Sequence, residues 1–124
     1  MKNQVLKLVA LSNEAEPIRL EIAEHVSNIA LAVSIARQNR DGDNWDRPSK
    51  ASNIETWVVD GESIYVTWSD SWNYGGHASG SFSFPASYLY DASAFDQFKQ
   101  ECLDAKTKRE ESANEAKRQA ELRE

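Results

Sequence analysis

Apolar side chains at Ile18, Ile22, Val26, Ile29, Val33 and Ala36 recur at steps of three and four residues. This spacing lines one stripe of an α-helix and predicts a helix over about 13–40. Ser12 or Asn13 is available as its cap, Glu14 and Glu16 suit its positive end, and Pro17 is accommodated if it falls in or near the first turn. Within Ile29–Ala36 nearly every direction is apolar, which calls for cover on more than one side. The preceding Val5-Leu6-Lys7-Leu8-Val9 reads equally as a short helix or an edge strand.

Turn formers fill 41–50, and the period then changes from helical to alternating. Residues 53–59 and 62–69 are rich in β-branched and aromatic side chains around Asp60-Gly61, a preferred pair for a tight hairpin turn. The alternation puts Trp57, Val59, Ile64, Val66 and Trp68 on the side that faces the helix. A third strand over 79–84 alternates serine with Phe82 and Phe84 until Pro85. After Asp91 or Ser93 as cap, a segment dominated by Ala, Lys, Glu, Arg and Gln predicts a helix over about 92–123. Phe95, Phe98, Cys102 and Ala105 dock its first part. From 106 onward the apolar content falls to alanines and Leu122, so that part either frays or packs its small face against a partner chain.

The expected architecture is therefore α+β in a single domain, 1–124: an N-terminal helix on a small antiparallel meander over about 52–85, then a long C-terminal helix. Twenty acids against fourteen bases give a net charge of −6, which disfavours duplex nucleic acid as a partner. The longest apolar run, 29–36, is far short of the roughly 20 residues that span a bilayer, and no signal-peptide pattern opens the chain, so an intracellular protein without a membrane partner is expected. The single cysteine fits a reducing compartment.

No catalytic triad signature, cofactor motif or metal spacing stands out. Cys102 lies on an apolar stripe, His25 within the first helix, and the aspartates 41, 43 and 46 lack the remaining ligands of a calcium loop. An enzyme is not expected. The stretch Trp72-Asn-Tyr-Gly-Gly-His77 either folds back on the core or offers Trp72, Tyr74 and His77 to a flat ligand, with glycines that let backbone amides approach phosphate.

The helix ending in Ala-Leu-Ala-Val-Ser-Ile-Ala-Arg-Gln-Asn-Arg40, the following Asn44-Trp-Asp-Arg-Pro48, the hairpin around Asp60-Gly61, and Phe84-Pro-Ala-Ser-Tyr-Leu89 before a long charged helix resemble the first type of Thoeris anti-defence protein, a phage family. The resemblance implies a non-enzymatic sponge. Such proteins form dimer-based oligomers, resembling hexamers, and sequester cyclic ADP-ribose isomers. Some also hold cyclic oligonucleotides at a separate site. By resemblance, Phe82 stacks on adenine and Arg109 holds phosphate in the cytoplasm of an infected bacterial host.

Charge placement adds an independent constraint. No lysine or arginine occurs over 51–91, so phosphate neutralisation falls to Arg40, Arg47, Lys106 or Arg109, the last on a polar helix face. The alternative function is an acidic inhibitor that binds a host defence complex through the middle segment, whose acids are Glu55, Asp60, Glu62, Asp70 and Asp91.

Overall fold

The computed structural model describes residues 1–42, 46–72 and 75–123. Helix α1 spans Lys2–Asp41, strand β1 Ile54–Asp60, β2 Ser63–Trp72, β3 Gly76–Pro85 and helix α2 Ala92–Leu122. The strands form one antiparallel sheet in the order β1-β2-β3, and the architecture is α+β.

Helix α1 begins eleven residues earlier than the 13–40 stripe suggested. The Val5–Val9 segment is helical, neither Ser12 nor Asn13 is a cap, and Pro17 lies in the helix interior. The physical reason is composition: Leu, Val, Ala and Lys before position 12 continue the helix, so the missing proline N–H removes one bond without ending it. Helix α1 meets the body from Arg19 onward. Val26, Ala30 and Val33 are fully buried against Ile64, Val66, Phe84 and Phe95, whereas Val5, Leu6, Leu8, Val9 and Leu11 are all exposed.

The β1–β2 register pairs Asp60 with Ser63, Val59 with Ile64 and Trp57 with Val66. The two-residue turn is therefore Gly61-Glu62 rather than Asp60-Gly61, with Gly61 at φ 61°. Because pairing moves by two in the residue sum, the helix-facing set keeps its side of the ribbon. Ile64, Val66 and Trp68 are buried and Trp57 is half-buried, but Val59, next to the turn at the end of the ribbon, is 64% exposed.

Strand β3 starts at Gly76, three residues before the expected 79, and pairs with β2 without interruption from Trp72–Gly76 to Ser63–Pro85. Trp72 is thus the last residue of β2, and Gly76 and His77 belong to β3.

Helix α1 crosses the sheet along the row Trp57–Val66–Phe82. At one end Arg19 donates from Nη2 to the Trp57 carbonyl at 2.7 Å, its guanidinium 4.0 Å from the indole centroid. At the other, Arg37 donates from Nη2 to the Ser83 carbonyl at 2.6 Å, its guanidinium 5.7 Å from the Phe82 centroid. The intervening helix covers about 27 Å at 1.5 Å per residue, so the two arginines reach inward over both edges of the sheet.

Helix α2 is capped by Asp91, whose side chain accepts from the Ala94 amide at 3.1 Å. Phe95 and Cys102 are buried as the stripe predicted, and Tyr88 stacks between Phe95 and Phe98 at 5.2 and 5.3 Å. Residues 107–122 are exposed.

Candidate anion and aromatic site at the end of the first helix

Four arginines converge on the last turns of α1. Val33, Arg37 and Arg40 follow one helical face at steps of four and three, so the stripe that buries Val33 carries the two guanidiniums toward the edge of β3. Arg47 bonds back to the helix, donating from Nε to Gln38 Oε1 at 2.6 Å. Arg109 arrives from α2 and donates to the Arg40 carbonyl at 2.8 Å and the Asn39 carbonyl at 2.9 Å. These carbonyls belong to the helix terminus, where the chain leaves through Gly42 at φ 72° and partial negative charge accumulates.

The cluster shapes its own protonation. Burial, then the neighbouring Arg40, lowers the pKa of Arg37. Arg40 is raised chiefly by its hydrogen bond to Asp41, at 2.8 Å from Nε, and the same contact lowers Asp41. Arg37 and Arg109 add to the lowering at Asp41. Burial raises both Tyr88 and Cys102 beneath the arginines. The result is a cationic patch on an acidic chain, with one aromatic ring, Phe82, at its border.

The expected site residues divide. Arg40, Arg47 and Arg109 meet at this end of α1, and Lys106 is half-buried one turn before Arg109 on α2. Phe82 is half-buried, packed against the core and under Arg37. Arg109 is exposed on α2, as expected of a polar helix face, and its bonds to two carbonyls also fasten α2 to the end of α1.

Trp72 and His77 lie near the other end of β3, and on opposite faces of the sheet. Trp72 shares the α1 side with Trp68 and is 56% exposed, with its indole over its cross-strand neighbour Gly76, where a β-carbon would collide with the ring. Trp68 covers Gly80 in the same way. The glycine therefore makes room for an indole, and phosphate is not needed to explain it. His77 pairs with Ser71 on the outer face, beside a 320 Å³ depression that also takes in Lys50, Glu55 and Asp70. Tyr74 lies outside the described residues.

Arg37 was missed in the sequence because it directly follows the apolar run 29–36 and reads as the start of the helix's polar end. Its spacing from Arg40 and Val33 was the available signal.

No protein-family model matches the chain, and neither a curated protein nor a solved structure is significantly similar to it. Among the described residues, no helix is long and apolar enough to cross a membrane, and no cluster of three or more His, Cys, Asp or Glu side chains has the arrangement to hold a metal ion.

Proposed function

We propose that the protein is an oligomeric sponge that binds and sequesters a cyclic nucleotide signal, of the cyclic ADP-ribose type, without degrading it. The observation that carries this reading is the convergence of Arg37, Arg40 and Arg109 at the end of α1, with Phe82 5.7 Å from the Arg37 guanidinium, in a chain of net charge −6. A pyrophosphate asks for several guanidinium donors and a purine for an aromatic face, and the two needs meet at this helix end. The sequence blocks that resemble the first type of Thoeris anti-defence protein support the same reading and suggest an anti-defence role in an infected bacterial cell.

Assembly into a homo-oligomer belongs to this reading. Apolar side chains surround the exposed start of α1 at Val5, Leu6, Leu8, Val9 and Leu11, and a helix apolar on several sides is stable in water when other chains cover it.

Calorimetry with a panel of cyclic nucleotides tests the proposal. Saturable binding is expected for a cyclic ADP-ribose isomer, and heating the complex should release the ligand chemically intact. No saturable response, or release of a hydrolysed product, would overturn it. Arg40→Glu is the cleanest site variant, since the Arg40 side chain is exposed and, among the described residues, bonds only Asp41. It should weaken binding at least tenfold while leaving the fold unchanged.

A further inference from the structure

Strand β3 is an edge of the sheet, and its outward backbone groups can be assigned. The Ala86 amide donates to the Glu62 carbonyl at 2.8 Å, which fixes the alternation of the β2–β3 ladder. Residues 77, 79, 81 and 83 then direct their N–H and C=O groups away from β2. The Ser83 carbonyl accepts from Arg37, in agreement.

Most natural edges are blunted by charge, proline or a bulge. Strand β1 follows that rule, with a register irregularity between Ile54 and Thr56, the acids Glu55 and Asp60, and Arg19 on the Trp57 carbonyl. Strand β3 does not. Ten consecutive residues, Gly76–Pro85, pair without a bulge and include no Asp, Glu, Lys or Arg. Arg37 and Pro85 close one end of the outer edge, leaving His77, Ser79 and Ser81 exposed.

We infer that this edge pairs with β3 of a second copy of the chain, antiparallel and centred on Ser79, and that the partner's Trp72 is thereby brought beside Phe82 to complete the aromatic side of the site. The register follows from the available groups. Three outward residues match themselves about a two-fold axis only when Ser79 faces the partner's Ser79 and His77 faces the partner's Ser81. The intervening pairs then put Phe82 opposite the partner's Gly76, the residue over which that chain's own Trp72 lies.

Within one chain, Phe82 and Gly76 are six positions apart, about 20 Å along a strand, which is why Trp72 and the arginines belong to no common site in the monomer. Across the two-fold axis they are neighbours. The faces agree as well: Phe82 and Trp72 both lie on the α1 side, and an axis perpendicular to the sheet keeps them there. A second copy fits better than an unrelated extended peptide, because this charge-free edge repels no copy of itself and the pairing places the half-exposed Trp72 against a ring.

Charge at position 79 tests the register, because only there does the strand oppose itself. In Ser79→Lys or Ser79→Glu, like charges meet directly across the axis, while the side chain stands on the exposed outer face and the fold of each chain is undisturbed. Each variant alone should lower the particle mass in sedimentation and raise hydrogen exchange at the amides of 77, 79 and 81 at least tenfold. An equimolar mixture of the two should restore both. Unprotected amides at these three positions in the parent particle, or single variants that assemble and protect them as the parent does, would overturn the pairing.

The role given to Trp72 rests on the nucleotide-sponge reading. Calorimetry with cyclic ADP-ribose isomers on the same samples separates the two failures. Protected amides with no nucleotide binding would sink the sponge alone. Parent-like nucleotide affinity in particles whose edge amides exchange freely would sink the pairing alone.

Discussion

The guanidinium of Arg109 occupies the place a side chain on Gly42 would take: a β-carbon built there would lie 2.6 Å from Arg109 Cζ and from Nε. Gly42 ends α1 in the left-handed region, and Arg109 satisfies the carbonyls of Asn39 and Arg40 that the helix leaves open. Backbone conformation, helix termination and the docking of α2 are one local arrangement.

Gly42→Ala should therefore destabilise by about 1–2 kcal/mol from the left-handed conformation alone, with a further cost as Arg109 is displaced. Arg109→Ala should cost about 1 kcal/mol, a value reduced from that of a buried charged hydrogen bond because Arg109 is exposed. The double variant should lose less than the sum. Thermal melts of all three without nucleotide check this, and strict additivity would show that the two residues act separately.

The two tryptophan–glycine pairs should answer differently to the same change. Gly80→Ala drives a β-carbon to 2.9 Å from Nε1 of Trp68, a side chain 4% exposed with little room to move. Gly76→Ala meets Trp72 more closely, yet that indole is 56% exposed and can swing into solvent. Denaturant unfolding should show a loss of about 1–3 kcal/mol for Gly80→Ala and under about 1 kcal/mol for Gly76→Ala.

Phe82→Ala should affect both stability and nucleotide binding. The ring packs partly against the core, so truncation should cost about 1–3 kcal/mol. Under conditions where the variant is fully folded, affinity for a cyclic ADP-ribose isomer should still fall at least tenfold. Unchanged affinity would make Phe82 a core residue only.

The long stripe Ile22–Ala36, the meander and the docking stripe Phe95–Cys102 were legible because each repeats one period over several turns or strands. What escaped was settled by contacts without a period. Pro17 looked like a helix start, yet apolar helix formers on its N-terminal side carried the helix through it. The glycines at 75 and 76 allowed a ligand loop or a fold back on the core, and only the contact shows Gly76 lying under an indole four residues earlier. Arg37 and Arg109 took their positions from distant carbonyls, at Ser83 and at the end of α1, which spacing along the chain does not reveal. The grouping of Arg40, Arg47 and Arg109 was legible for a different reason: a middle segment without cations leaves few places for positive charge.

Cys102 makes the last prediction, through pH. Its thiol is buried among Tyr88 and the packed faces of both helices, and burial raises its pKa above the ordinary value of 9.0. The folded state thus favours the protonated thiol. Its contribution to stability is complete below about pH 9, where the unfolded chain also holds the proton, and is lost as pH rises further. Urea midpoints should therefore fall above pH 9 in the parent and fall less in Cys102→Ala, which removes the titration at a pH-independent packing cost of about 1 kcal/mol. At pH 8 a thiol reagent should modify the native protein at a rate set by unfolding. Rapid stoichiometric modification of the folded chain would mean that the thiol is open to solvent and that this account of the alkaline limb is wrong.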